Sequence, residues 1–218
     1  MKRIVFFILV LVLVVGNQFF TSCTKVEDTY YPSGKLQSKI EYRLGKKDGK
    51  AVFFYESGQK SLEITYHQDT INGVLIRYYS NGKKELEELY KNGCLHGISK
   101  TYTESGVLVK EIEFKNGQRD GFYKQYYPDG SLFINGYYSD NQIDSVWRYF
   151  DYNGYELANG KFDKGKGKLI AYNSDGGLLR EVDYENSVIH GKEVYYTTDG
   201  TIEKIVEYKN GKMLNYIK

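Results

Sequence analysis

The residues of this chain that could do metal or acid–base chemistry begin with its three histidines, His67, His96 and His190. A metal site or a general base needs such side chains to converge with other ligands or carboxylates. His96 and His190 each precede a glycine, in positions that equivalent segments fill with aspartate or asparagine. Those residue types tolerate the left-handed backbone of a turn. We therefore predict turn residues here, with no metal and no cofactor.

Four carboxylates show a second suggestive spacing, because each lies seven residues after a recurring glycine. Stacked carboxylates could bind a cation or form an acid–base pair. Other segments carry threonine, leucine, tyrosine or lysine at the same position, so we expect no continuous acidic ladder. No nucleophile elbow or phosphate-binding glycine loop accompanies them. We predict a solvated sheet face and no catalytic residues. The four carboxylates are Glu41, Glu113, Asp183 and Glu207.

Cys23 suggests a different chemistry, the covalent attachment of lipid. Residues 1–3 carry two positive side chains, and residues 4–15 form an apolar run of 12, which suits a signal peptide and is short for a bilayer span. Small residues then precede Cys23, as in the lipobox of bacterial lipoproteins. We predict a lipoprotein signal peptide over 1–22, a lipid-anchored tether over 23–29 and a repeat domain over 30–218. Because Phe20 replaces the usual leucine, plain secretory cleavage and an uncleaved anchor remain alternatives.

The predicted location follows from the same segment. A chain anchored at Cys23 would lie in the bacterial cell envelope, and Thr24 in place of an aspartate favours the outer over the inner membrane. Removal of Lys2 and Arg3 leaves 28 basic residues against 28 acidic ones, and such a balanced chain is not expected to bind nucleic acid. Cys94, the other cysteine, then has no disulfide partner and is interpreted as an incidental thiol.

An internal repeat determines the elements that position these residues. Eight turn glycines follow one another at spacings of 24 residues, with one spacing of 22. Serine, asparagine or aspartate precedes each of them, which is typical of tight hairpin turns. An aromatic residue stands four before and another eight after every one of these glycines. The turn glycines are Gly34, Gly58, Gly82, Gly106, Gly130, Gly154, Gly176 and Gly200.

A second turn is predicted in each unit where aspartate, asparagine or histidine precedes another glycine, as at Asp48-Gly49. Between turns the residues alternate, with Leu36, Ile40 and Tyr42 on one parity and polar side chains on the other. Such alternation indicates half-buried antiparallel strands. The predicted fold is all-β: an elongated antiparallel β-hairpin repeat array of about eight 24-residue units, forming a single curved meander sheet of roughly 16 strands.

A further row of aromatic residues offers a candidate binding patch. Tyr31, Tyr55, Tyr79 and Tyr127 follow the aromatic that precedes the turn, whereas later units carry aspartate, asparagine or threonine there. Trp147, the only tryptophan, is placed in mid-strand and is added to the patch. Exposed rings could stack on sugars or pack against a partner protein. A feature confined to some units is what a binding patch would look like.

The unit resembles the MORN repeat, and more closely its bacterial variant. Two strings carry this resemblance, Tyr-Ser-Asn-Gly-Lys at 79–83 and Lys-Asn-Gly-Cys-Leu-His-Gly at 91–97, and the likeness extends over residues 30–218. The resemblance implies an array of β-hairpins, often curved into an open groove. Bacterial chains of this kind are often described as antitoxin-type proteins, and eukaryotic ones as membrane-associated scaffolds and lipid binders.

Two functions remain open at this stage. The repeat array, the anchor and the lack of catalytic residues predict a non-catalytic envelope lipoprotein that acts as a protein-binding scaffold, antitoxin-like by resemblance. The tyrosine row favours the alternative, a surface lipoprotein that binds carbohydrate or lipid head groups. An exported antitoxin would meet only a toxin that is itself exported. A hydrolase would need a converging nucleophile and base, which the sequence does not offer.

Overall fold

The computed structural model describes residues 24–217 of the chain. Cys23 and the signal peptide predicted over 1–22 lie outside the described residues. Between 24 and 217 all regular structure is β, in one sheet of 18 strands, which confirms the predicted all-β repeat fold. The same range holds no helix with the length and apolar character needed to cross a membrane.

The strands alternate with the turns, and each repeat contributes two of them. Their bounds are Thr24–Tyr30 (β1), Leu36–Arg43 (β2), Lys46–Phe54 (β3), Lys60–His67 (β4), Thr70–Tyr78 (β5), Lys84–Lys91 (β6), Cys94–Leu95 (β7), Gly97–Tyr102 (β8), Leu108–Lys115 (β9), Gln118–Tyr126 (β10), Leu132–Ser139 (β11), Gln142–Phe150 (β12), Glu156–Asp163 (β13), Lys166–Tyr172 (β14), Leu178–Glu185 (β15), Val188–Tyr196 (β16), Ile202–Lys209 (β17) and Lys212–Tyr216 (β18).

The sheet is a meander in which each strand pairs antiparallel with its neighbour in sequence. β7 and β8 both pair with β6, because the strand is interrupted at His96. The 18 strands exceed the roughly 16 expected because of this interruption and because β18 follows the eighth unit.

The segment expected to be a tether belongs to the sheet. Thr24–Tyr30 forms β1 and pairs with β2 from Thr24↔Arg43 to Tyr30↔Leu36. All seven residues of β1 are exposed, so backbone pairing holds the strand and side-chain burial does not. Because β1 has no buried face, its sequence shows no alternation of apolar and polar residues, and the pattern therefore does not distinguish this strand from a linker.

Hairpin turns lie at the recurring glycines, as the sequence predicts, and the structure shows that their loops have three residues. In the first of them the N–H of Gly34 donates to the carbonyl of Tyr31 at 2.8 Å, and the N–H of Tyr31 donates to the carbonyl of Lys35 at 2.8 Å. Gly34 has a φ of 82°, in the left-handed region where glycine is favoured. The same two bonds recur at each of the other turn glycines of the array.

The second turn was predicted at the wrong residues. The chain reverses at the two residues before β3, Leu44 and Gly45, whose φ values of 51° and 78° are those of a type I′ turn. Asp48 and Gly49 lie inside β3 instead, at a bulge where the pairing shifts between Ile40 and Tyr42. Leucine at a left-handed position is unusual, so the Asp-Gly pair was the stronger turn signal in the sequence.

The unit that is two residues shorter lacks this bulge. β14 has seven residues where β3 has nine, and its pairing with β13 runs without any register shift. Phe162 pairs with Gly167 and Gly160 with Leu169, at the position where the other units insert two extra residues. The irregular spacing of 22 residues therefore removes a bulge and leaves both hairpin turns intact.

The sheet has one face with a buried central row, named here the core face. Residues directly opposite each other across antiparallel strands share a face, and Ala51, fully buried, pairs with both Ile40 and Ile64 on this one. The buried cluster lies where the bulge is missing, between β12 and β15. It consists of Trp147, Ala158, Phe162, Leu169 and Val182.

Candidate functional site

The tyrosines of the predicted binding patch join successive repeats along the edge that carries the turn glycines. The Tyr31 hydroxyl donates to the carbonyl of Phe54 at 2.6 Å, and the Tyr55 hydroxyl to the carbonyl of Tyr78 at 2.6 Å. Tyr79 and Tyr127 make the same bond, 2.8 and 2.9 Å long, to the carbonyls of Tyr102 and Phe150. Each bond reaches 23 residues along the chain, to the next unit. The hydroxyl donors of this row are therefore used inside the protein.

Trp147 lies in the core face and apart from the tyrosine row. Its side chain is 5% exposed, and its indole Nε1 donates to the carbonyls of Tyr137 and Asp144 at 3.0 and 3.1 Å. The indole stacks on Tyr123 with ring centroids 5.3 Å apart. It also covers Gly136 so closely that a Cβ atom there would overlap the indole. The structure thus places Trp147 among packing residues.

The histidines do not come together. The Nδ1 of His67 lies 3.3 Å from the Oδ1 of Asp48, and the Nδ1 of His190 lies 3.2 Å from the Oδ1 of Asn210. His96 and His190 stand at the β-bulges and not in the hairpin turns that we predicted for them. The Nδ1 of His96 is buried without a hydrogen-bond partner in the described part of the chain. Over residues 24–217 no group of three histidine, cysteine or acidic side chains is arranged to hold a metal.

The acidic register that we interpreted as a solvated face has a structural contact. The Oε2 of Glu41 accepts a hydrogen bond of 2.9 Å from the N–H of Lys50, just after the bulge glycine. Glu113 and Asp183 accept the equivalent bonds in their own units. The bulge interrupts the ladder and leaves this N–H to be satisfied by a side chain. An acid eight residues before a bulge glycine is the sequence signal that we missed.

Tyrosine and glutamate side chains pair on the face opposite the core face. The Tyr78 hydroxyl donates to Glu63 and the Tyr126 hydroxyl to Glu111, each at 2.8 Å. Burial, followed by the hydrogen bond and the charge of the carboxylate, raises the pKa of Tyr78 and of Tyr126 to about 12. Burial opposes ionisation of Glu63, yet the bonds from Lys60 and Tyr78 lower its pKa. These phenols stay protonated at neutral pH and support no acid–base chemistry there.

A shallow depression of about 500 Å³ opens on the core face between β11 and β15. Ala158 and Ala171 pair directly with each other and form its floor. In the same row the adjoining strands carry the larger Tyr149 and Arg180, so two small side chains leave a gap between two long ones. Concave, mostly apolar gaps of this kind are the usual binding sites of proteins.

The outer side of the depression is formed by the third residue after each of three turn glycines, Gly130, Gly154 and Gly176. One extra residue after the turn shifts the register between Gln125 and Tyr126, and this shift places Phe133 on the core face. Leu157 and Leu179 occupy the same position in the next two units and are 39% and 46% exposed. Simple alternation assigns this position to the polar face, which is why we missed it. The first three units and the last carry polar residues there, Gln37, Ser61, Glu85 and Glu203, whereas the fourth unit carries Val109.

Comparison with known families gives a match to part of the chain, and the depression lies outside the matched residues. A family model described as "MORN repeat variant" matches residues 27–43, 47–68, 71–92, 95–116 and 189–210. The unmatched interval, 117–188, contains every residue that lines the depression. A search of curated proteins found no match to the chain.

Proposed function

Because the chain carries five matched MORN-variant repeats, we propose that it is a non-catalytic scaffold that binds another protein through the core face of its sheet. The observation that carries this proposal is the depression between β11 and β15, with its exposed apolar rim. An apolar gap bordered by aromatic side chains suits the large anchor side chains that dominate protein interfaces. Repeat arrays use such extended faces for binding.

We propose further that the scaffold is a bacterial lipoprotein held in the cell envelope through Cys23, with the outer membrane favoured over the inner. The motivation is the run of apolar residues over 4–15 followed by small residues before Cys23. One acyl chain alone gives weak, reversible membrane binding, so stable anchoring would use more than one lipid chain. The partner is then a protein of the envelope.

An antitoxin-type role is compatible with this location only for an exported toxin. The described residues support the coarser statement, a repeat-based binding module, and a toxin would be one kind of partner among others. The capture experiment below identifies the partner and therefore distinguishes a toxin from an envelope component.

The proposed function is tested by cross-linking in living cells, followed by affinity capture of the full chain and of the Cys23→Ala variant. We expect one dominant protein partner with the anchored chain and a strongly reduced yield with the variant, because the variant no longer stays at the membrane. Equal capture by both forms would remove the role of the anchor. The absence of any protein partner in both forms would refute the scaffold.

A further inference from the structure

The turn between β12 and β13 departs from the other turns of the array. Its loop, 151–155, carries Tyr152 and Tyr155 at positions where no other unit has an aromatic residue. Their side chains are 60% and 73% exposed, so packing does not explain them. The Tyr152 ring stacks on the Tyr127 ring with centroids 3.8 Å apart. This pair presents an aromatic surface at the edge of the sheet.

The aromatic surface leads into the depression through a series of ring contacts. The Tyr127 ring lies 4.8 Å from the Phe133 ring, and the Phe133 ring lies 6.5 Å from that of Tyr149. Phe133 and Tyr149 both line the depression. The exposed turn and the apolar gap therefore form one continuous surface, which a single extended ligand could cover.

The last four turns along this edge carry only negative charge. The segments 127–133, 151–157, 173–179 and 197–203 contain no lysine or arginine. Their acidic side chains, named here the acidic edge, are Asp129, Asp151, Glu156, Asp175, Asp199 and Glu203. The first three turns of the array carry lysines, Lys35, Lys60, Lys83 and Lys84, together with Glu56 and Glu85, and the fourth carries Glu104 alone.

The charges inside and beside the depression are already paired. The NH1 of Arg180 lies 3.1 Å from the Oε1 of Glu193, which is 4% exposed. Arg148, on the opposite face, pairs with Glu156 at 3.4 Å, so Glu156 adds no surplus charge to the acidic edge. Asp129 uses only its Oδ1, which accepts two bonds from Ser131. The surplus charge at the rim is therefore negative.

We propose that this surface docks an extended polypeptide segment of the partner, in which one or two large apolar side chains are flanked by lysine or arginine. The apolar side chain would fill the gap over Ala158 and Ala171, and the cations would face the acidic edge and the rings of Tyr152 and Tyr155. Charge complementarity of this kind steers association and sets specificity, and cations bind favourably over tyrosine rings. This inference rests on the proposed function and specifies the chemistry of the partner.

The test uses two fluorescein-labelled heptapeptides and the purified full chain. In both peptides leucine alternates with a charged residue, lysine in one and glutamate in the other. Fluorescence anisotropy then gives their affinities at low and high salt. We expect the lysine peptide to bind at least about tenfold more tightly than the glutamate peptide, with a difference that shrinks in high salt, because salt screens exposed charges.

Three variants and a matched control locate the binding. Ala171→Leu fills the gap. The double variant Asp129→Asn with Asp175→Asn neutralises the rim. The asparagine at position 129 keeps an oxygen that can accept the two bonds from Ser131. Leu179→Ser provides a second change in the gap, at an exposed position that does not require repacking. The control, Glu56→Gln with Glu104→Gln, removes the same charge from turns outside the site. We expect weaker binding of the lysine peptide in the variants, by about fivefold or more, and unchanged binding in the control.

Equal affinity for the two peptides would overturn the proposal. An affinity for the lysine peptide that stays unchanged in the gap variants and in the rim variant would also overturn it. Chitohexaose serves as the carbohydrate probe, and its binding to this site in place of the lysine peptide would overturn it as well. The proposed function can survive that outcome. If the protein captured in cells binds equally to Ala171→Leu and to the unaltered chain, the scaffold stands and its docking surface lies elsewhere.

Discussion

At the scale of single residues, the tyrosine row has a defined contribution to stability. Tyr79→Phe removes the hydroxyl that bonds to the carbonyl of Tyr102 and leaves the ring in place. We expect the free energy of unfolding in urea to fall by about 0.5–1.5 kcal/mol, the net worth of one such bond. Tyr152→Phe, on the same edge, is the matched control and should change it little. An unchanged midpoint for Tyr79→Phe would show that the bond between repeats contributes nothing.

The bulge glycines are required by close contact as well as by backbone conformation. Gly49 has a φ of 123°, and a Cβ atom there would overlap the Oε2 of Glu41 and lie 3.0 Å from its Cβ. Gly49→Ala should therefore destabilise the chain by about 2 kcal/mol or more. In a Glu41→Ala background the cost should be smaller by about 1 kcal/mol, because the overlap with the carboxylate is gone and only the Cβ contact remains. Equal costs in the two backgrounds would exclude the contact as the cause.

The tyrosine–glutamate pairs give a dependence on alkaline pH. The pKa of Tyr126 rises from its ordinary value of 10.0 to about 12 in the folded chain. The folded state thus holds a proton that the unfolded chain loses, so this stabilisation is complete below pH 10 and is lost as the pH rises towards about 12. Phenolate absorbance of the native protein should show a late-titrating fraction that includes Tyr126 together with Tyr78, Tyr90 and Tyr149, whose pKa values also rise to about 12. Glu111→Gln should shift the part of this fraction that belongs to Tyr126 to lower pH, and an unaltered titration would contradict the pairing.

At the scale of elements, the hairpin turns explain which parts of the fold could be read from the sequence. The hairpin turns at the recurring glycines were predicted because glycine marks each of them. The second turn was misplaced although three units carry Asn-Gly at the observed turn, at 92–93, 116–117 and 210–211. Leu44-Gly45 and Gln68-Asp69 lack that signal, and in these two units a glycine four residues after the turn follows aspartate or asparagine. Cross-strand register decides between the two positions, and register depends on pairs that lie far from the turn.

Leu44 is the clearest strained position among these turns. It has a φ of 51° and its side chain is 83% exposed, so it gains little from burial. Equivalent turns use Asn92, Asn116 and Asn210, a residue type that tolerates this backbone. Leu44→Asn should therefore raise the free energy of unfolding by about 0.5–1 kcal/mol. Leu44→Ala should give no such gain, because alanine tolerates this backbone no better. An equal gain from both changes would show that removal of the exposed apolar side chain, and not the backbone conformation, is the cause.

At the scale of the whole molecule, the repeat made the architecture predictable and the binding surface difficult to predict. The aromatic residues at fixed register specify a meander sheet in any unit. The depression arises where several departures coincide: a missing bulge, the Ala158–Ala171 pair, and apolar residues at Leu157 and Leu179. Each departure is a small change in sequence. Their common location on one face depends on the register shift after each turn, which alternation alone does not reveal.

The most direct test of a scaffold that binds through the core face is a photo-cross-linking amino acid placed at single positions in living cells. Leu157, at the depression, and Leu89, on the opposite face, are 39% and 42% exposed and form a matched pair. We expect a single dominant protein adduct from position 157 and little or none from position 89. An adduct from position 89 alone, or no protein adduct from position 157, would contradict the account.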